Sequence, residues 1–253
     1  ALDPVIGHEI SKTRPVVVVS NDKNNEFSGT VTILPITSKN LQKIYPFEVF
    51  LSKGEANLPK DSKVKADQIR TLDLDGIAPK LGASLRKQRW EVPLLGRTYQ
   101  IASEGLFNNA GKRPAFEVCV ILAKHLLMCP EVPPATGQWS HYRDMKDAGP
   151  LTVYWANNVE GAIVKRFQGS AQRLENAAAP LGGAPPAEPL AYDVDLIIPA
   201  LPRIPVRLLF NEAEEEFPDN CLVLLRKSAE VYLDAESLAV LGALVYRRLI
   251  AAG

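Results

Sequence analysis

The 253 residues carry 29 Lys plus Arg against 29 Asp plus Glu, a balance that excludes nucleic-acid binding through overall charge. Any contact with a polyanion has to come from a local cluster. Hydrophobic residues make up 46% and charged residues 23%, an ordinary globular composition, and no apolar run approaches the ~20 residues that span a bilayer.

The first elements are short strands and loops. Val16-Val17-Val18-Val19 is a continuous apolar run and reads as a strand covered on both faces. Residues 21–29 are polar, with Asn24-Asn25 and Ser28-Gly29, and read as a loop. Thr30-Val31-Thr32-Ile33-Leu34 alternates and is β-branched, a second strand. Residues 46–51 form a third, and residues 64–71 a fourth after the turn-rich Pro59-Lys60-Asp61-Ser62. Strands this close together, with no helix between them, predict a small barrel or curled sheet.

From about residue 84 the texture changes. Residues 92–95 and 98–101 flank Gly96 as a hairpin. Residues 113–128 have Pro114 near the start and Pro130 after the end, which predicts a helix, apolar on most faces and therefore a core helix. A more polar helical stretch covers 157–178 with a break at Gly169, and 181–189 is a loop. Residues 196–210 read as two strands around Leu201-Pro202-Arg203-Ile204-Pro205, and 221–225 as another. The stretch 234–251 is an amphipathic helix with Leu238, Leu241, Val245 and Leu249 on one face and Asp234 and Glu236 at its N-terminus.

Cys119, Cys129 and Cys221 are scattered and form no C-x-x-C pair. That spacing argues against a zinc or iron–sulfur site and against a disulfide framework, and so predicts a reducing, cytoplasmic compartment. The chain opens on Ala1 instead of Met, with no charged-then-apolar leader, which leaves room for an upstream piece.

Four stretches carry chemistry. They are Gly7-His8-Glu9-Ile10-Ser11-Lys12-Thr13-Arg14-Pro15 running into the valines and Ser20-Asn21-Asp22, then Pro35-Ile36-Thr37-Ser38, Tyr45-Pro46-Phe47-Glu48-Val49 and Asp67-Gln68-Ile69-Arg70-Thr71-Leu72-Asp73. Together they resemble the MazF/PemK family of toxin endoribonucleases over residues 1–82. The resemblance implies a small SH3-like β-barrel that dimerises. It implies cleavage of single-stranded RNA, such as mRNA, without a metal or other cofactor, and restraint by a cognate antitoxin peptide. It also implies Arg14 and Thr37 as the catalytic pair, with Glu9 beside them. The family's usual first strand precedes the position of Leu2-Asp3-Pro4 and the resemblance stops after residues 77–82, so the barrel is expected to be incomplete, with an open edge.

The residue types suit that chemistry. Metal-free RNA cleavage uses the 2′-hydroxyl as nucleophile and needs a proton acceptor, a proton donor and a cation for the pentavalent intermediate. Arg14 is permanently charged and offers a bidentate fork, and Pro15 biases it towards extended backbone. Thr37 can donate a hydroxyl hydrogen bond to a phosphoryl oxygen, and Glu9 is a base or an orienter of Arg14. Lys12, Ser20, Asn21, Lys39, Gln68 and Arg70 are the candidate RNA-binding residues, and the loops 23–29 and 39–44 are the candidate base readers. Taken singly, Arg14 is a solvated strand cap, Thr37 an ordinary strand end, His8 an exposed loop residue, and Arg70 an ion-pair partner of Asp67 or Asp73.

Residues 83–253 resemble an uncharacterised bacterial domain family, through Leu94-Leu95-Gly96-Arg97-Thr98-Tyr99, Thr136-Gly137-Gln138-Trp139, Leu201-Pro202-Arg203-Ile204-Pro205-Val206, Glu215-Glu216-Phe217-Pro218 and Tyr232-Leu233-Asp234-Ala235-Glu236-Ser237-Leu238. The resemblance supplies no mechanism. Glu212, Glu214, Glu215, Glu216 and Asp219 are oxygen ligands that would suit Mg²⁺ or Ca²⁺, but the spacing reads better as a solvated turn. His125 reads as a core histidine, His141 as a loop residue, and the three cysteines as packing. The fold expected is α+β, a small barrel over 1–82 and a separate α+β domain over 83–253. The function expected is a toxin-type endoribonuclease without membrane contact. The rival is a non-enzymatic protein that binds nucleic acid or an antitoxin through a degenerate toxin barrel, its function dominated by the uncharacterised domain over 83–253.

Overall fold

The computed structural model of the chain describes residues 15–21, 30–55, 58–73, 82–86, 89–102, 105–130, 132–215 and 217–253. The chain divides into two compact units, Ala1–Pro79 and Lys80–Gly253.

In the first unit, β1 (Val16–Val18), β2 (Thr30–Thr37), β3 (Glu48–Leu51), β4 (Ser62–Lys65) and β5 (Arg70–Asp73) form one antiparallel sheet in the order β1-β2-β4-β3, with β5 also on β2. The expected strand over 64–71 is thus two strands, split by a 3₁₀ turn at Ala66–Gln68. Pro35 shows why. One edge of β2 pairs with β5 from Thr30 to Ile33 and with β4 at Ile36 and Thr37. Pro35 has no N–H to donate, and it falls where that edge passes from one partner to the other. The 3₁₀ turn carries the chain across the gap.

Two expectations are corrected here. Among the described residues the strands form an open sheet instead of a closed barrel, because β1 and β3, at the two ends of the order, do not pair. The valines are also not covered on both faces. Val16, Val18 and Val19 are 36%, 50% and 46% exposed, because among the described residues β1 pairs only with β2 and lies at the sheet's edge. Val17 alone packs, with Leu34 and Leu51, on the small cluster of Ile36, Leu58 and Val64. The predicted loop at 21–29 lies, from residue 22 on, outside the described residues.

The second unit carries two sheets. The first is a meander of β6 (Ser84–Arg86), β7 (Arg89–Leu94), β8 (Arg97–Ala102) and β9 (Gly105–Asn108). The predicted hairpin is its β7–β8 turn. Leu95 and Gly96 both adopt positive φ, 48° and 71°, the pair of values that a two-residue turn matched to strand twist needs. A Cβ on Gly96 would lie 2.2 Å from the Pro180 carbonyl oxygen, so the site accepts only glycine. The other sheet runs β10 (Trp139–His141), β13 (Asn220–Arg226), β12 (Ile204–Asn211), β11 (Val194–Leu201). Strands β6, β9 and β10, three or four residues each, carry too little pattern to be read from sequence.

Helices follow in chain order: α1 (Phe116–Leu127), α2 (Thr152–Trp155), α3 (Gly161–Phe167), α4 (Ala171–Ala178), α5 (Ala229–Tyr232) and α6 (Ala235–Ala252). A π-helical turn at Ala156–Glu160 joins α2 to α3, and the break before α4 includes Gly169 at φ 65°. The expectation for α1 is corrected. Only Val118, Ile121, Leu122 and His125 are buried, a single stripe at i, i+3, i+4 and i+7, while Phe116 is 79% exposed. His125 is buried against the Tyr232 ring. Helix α6 buries Leu238, Leu241, Val245 and Leu249, the predicted face. Its N-cap is Asp234, whose carboxylate accepts from Ser237 N–H at 2.9 Å. The acidic run caps too. Glu212 accepts from Ala171 N–H, which satisfies a donor at the start of α4, and Asp219 accepts at 3.2 Å from the N–H of Gly169, two residues before the helix. Among the described residues no group of three His, Cys, Asp or Glu could hold a metal, and no helix is long and apolar enough to cross a membrane.

Candidate functional site

Three of the predicted residues of the first unit, Thr37, Lys39 and Gln68, meet at the C-terminal end of β2. Thr37 closes that strand and is buried. Its hydroxyl oxygen accepts from Lys39 N–H at 3.2 Å, which turns the chain out of the sheet into the loop to β3. A cleft of about 540 Å³ opens there, with Thr37, Lys39, Lys43, Tyr45 and Gln68 among the residues of its wall. Pro15, which directly follows Arg14 in the sequence, accepts from Ile36 N–H at 2.9 Å, one residue before Thr37.

Beneath the cleft lies a group that sequence reasoning passed over. Glu48 is buried at the start of β3. Lys63 and Lys65, two residues apart on β4, present the same face to it and pair with its carboxylate at 2.9 and 2.7 Å. Lys63 gives its other donors to the Asn40 and Lys43 carbonyls, at 2.9 and 3.0 Å. A lysine ammonium has three donors, and here a carboxylate and two carbonyls take all three, which makes burial of the charge tolerable. The consequence is positional, since Lys63 pins the loop that carries Lys39, Lys43 and Tyr45. The signal was in the sequence as a lone Glu in an apolar strand and two lysines at strand spacing. The pairing of β3 with β4 was needed to put them together.

The electrostatics follow from this geometry. Lys63 and then Lys65 hold the Glu48 carboxyl down at about 2, from an ordinary 4.5, against burial, which pushes it up. A carboxylate whose pKa falls on folding contributes stability that is complete above its unfolded value and lost as pH falls through the folded one. The first unit is therefore expected to lose stability between about pH 4.5 and 2. Denaturant midpoints measured across that range should show the slope, and Glu48→Gln should flatten it. An unchanged slope would mean that other carboxylates dominate.

With Lys63 and Lys65 committed to Glu48, the cations left for a ligand among the described residues of the cleft wall are Lys39 and Lys43, both exposed on the rim. Lys43 Nζ sits 4.6 Å over the Tyr45 ring. Tyr45 and Phe47 stack with centroids 5.3 Å apart and planes 4° from parallel, and both are exposed. Exposed stacked rings beside lysines suit a base and its phosphate.

The predicted residues divide accordingly. Thr37, Lys39 and Gln68 line one cleft. Ser20, Asn21 and Arg70 do not. Ser20 accepts from Thr32 N–H at 2.9 Å and Arg70 pairs with Ile33, positions respectively about 17 and 13 Å along β2 from Thr37 at strand rise. Glu9, Lys12 and Arg14 lie outside the described residues.

Comparison with known proteins adds the following. A family model described as PemK-like, MazF-like toxin of type II toxin-antitoxin system matches residues 1–92. A domain of unknown function, DUF3786, matches residues 73–248. The endoribonuclease MazF9 of Mycobacterium tuberculosis is 41% identical over 86 residues, 32% of this chain and 72% of that protein. The endoribonuclease MazF of Staphylococcus saprophyticus is 38% identical over 91 residues, 36% of this chain and 76% of its own length.

Proposed function

The chain belongs to the PemK-like, MazF-like toxin family through residues 1–92 and to the DUF3786 family through residues 73–248, and from that premise we propose that it is a metal-independent endoribonuclease cutting single-stranded RNA, mRNA included, at a short sequence. The observation that supports this most is Thr37, buried at the end of β2 and set on the wall of a cleft with Lys39 and Lys43 on its rim. The comparisons support a toxin-type ribonuclease family over about a third of the chain.

In this reading the ribose 2′-oxygen attacks phosphorus and its proton passes to Glu9. The 2′-O–P bond forms, the P–O5′ bond breaks, and the 5′-oxygen takes a proton from solvent water and leaves as a hydroxyl. Arg14 neutralises the charge that builds on the non-bridging oxygens, and the Thr37 hydroxyl donates to one of them. Lys39 and Gln68 hold the strand, with Lys12, and the Tyr45–Phe47 stack takes a base. Ser20, Asn21 and Arg70 contact RNA beyond the cleft. The toxin part, residues 1–82, works as a pair of copies in the cytoplasm under an antitoxin peptide, with residues 83–253 as a separate domain.

The test is incubation of the full chain with labelled single-stranded RNA in EDTA. Products ending in a 2′,3′-cyclic phosphate and a 5′-hydroxyl are expected. Cleavage abolished by EDTA, or 5′-phosphate ends, would overturn the mechanism. Saturable RNA binding with no cleavage would favour the rival, a binding protein on the same frame, which the exposed Tyr45–Phe47 stack also suits.

A further inference from the structure

The second unit holds a cleft that the ribonuclease reading does not use. It encloses about 570 Å³ between β8, the segment joining β9 to α1, and the last turns of α6. Four arginines from these three places converge on it: Arg97 from β8, Arg113 before α1, and Arg247 and Arg248 from α6. Glu117 is the single carboxylate in its wall. In a chain with no net formal charge, this is a concentrated positive site.

The arginines divide into held and presented. Arg247 Nη1 donates to Glu117 at 2.7 Å, and Arg248 Nη2 donates to the Tyr99 hydroxyl at 2.6 Å, which fixes both side chains. Arg97 and Arg113 are exposed and form no ion pair among the described residues. The start of α1, a twelve-residue helix, lies in the same wall, and its N-cap Ala115 offers no side-chain acceptor to the first-turn N–H groups. Those donors and the helix dipole add partial positive charge at the same place. The floor is apolar, formed by Val118 and Leu244, both buried.

The geometry points to a binding site for a phosphate-bearing ligand of nucleotide size. Arg97 and Arg113 would grip the phosphate oxygens as bidentate forks, the α1 N-terminus would donate to them, and the apolar floor would take the rest of the ligand. Several guanidinium groups and a helix start together exceed what one carboxylate could satisfy. They match a group with two or more negative charges. That chemistry is offered both by a free nucleotide and by a nucleotide unit of an RNA strand.

Titration calorimetry of the full chain with ADP, with inorganic phosphate and with a short 2′-O-methyl RNA, which cannot be cut by 2′-hydroxyl attack, separates these sources. Saturable binding is expected, weakened about tenfold for each of Arg97→Gln and Arg113→Gln, with a shallower salt dependence in the double variant. Arg173→Gln, on α4 outside the cleft, should change nothing. Binding of ADP identifies a free nucleotide, and arginine-dependent binding of the RNA alone identifies a strand. If no probe binds, or if the double variant with an unchanged near-UV dichroism spectrum binds every probe like the parent chain, the inference is overturned. RNA cleavage that survives in the double variant keeps this result apart from the ribonuclease reading.

Discussion

Replacing Arg14 with alanine is expected to lower RNA cleavage by about 10² to 10³, the usual cost of losing one preorganised donor to a developing anion. Stability should change by less than about 0.5 kcal/mol if the arginine acts on the transition state and carries no packing. Arg14→Lys should recover little, because an ammonium is a point charge and cannot reproduce the two-pronged contact with phosphoryl oxygens. Single-turnover cleavage and a thermal melt on the same samples check both halves. A variant that melts much earlier would show the arginine to be a structural cap. A variant that still cuts at the parent rate would remove it from the site.

The largest stability effect is expected in the second unit, at a buried ion pair. Asp195 on β11 and Arg207 on β12 lie diagonally across the ladder and are both buried. Arg207 donates to the two carboxylate oxygens at 2.8 and 2.5 Å, and its Nη2 also donates to the Glu188 carbonyl at 3.3 Å. Asp195 accepts in addition from Leu190 N–H at 2.8 Å. The pair therefore fastens residues 188–190 to the sheet. Asp195→Ala should cost about 3–5 kcal/mol, because it leaves a guanidinium desolvated without its partner. Replacing both residues with leucine should cost much less, since no charge is then buried. Denaturant unfolding of the single and double variants checks this. A double variant as unstable as the single would place the cost in packing instead of charge.

Some of the molecule was legible in the chain itself. The α6 face was readable because eighteen residues hold one period, and the β7–β8 hairpin because Gly96 marks a turn that demands positive φ. The toxin-family stretches could be read because their residue types and order survive without any geometry. Thr37 at a strand end follows from the same local pattern. These are properties of neighbours along the chain, and short-range sterics and hydrophobic periodicity decide them.

Other features depend on which strand lies beside which. Four valines in a row state apolarity, but only the pairing order places β1 at an edge and leaves Val16, Val18 and Val19 exposed. A proline inside β2 looks like a defect until β4 and β5 are seen to exchange places beside it. Glu48, Lys63 and Lys65 become one charged group only when β3 and β4 pair, and that pairing holds the loop carrying Lys39 and Lys43 over the cleft. Four arginines of the second unit, Arg97, Arg113, Arg247 and Arg248, span more than a hundred residues of sequence and share a cleft only through the packing of β8, α1 and α6. The sequence by itself determined the longer periodic elements, such as α6 and the β7–β8 hairpin, and the family of the first part. Only the tertiary structure decided which charges are buried and paired and which line a cleft, because burial and Coulomb partners are set by contacts distant along the chain.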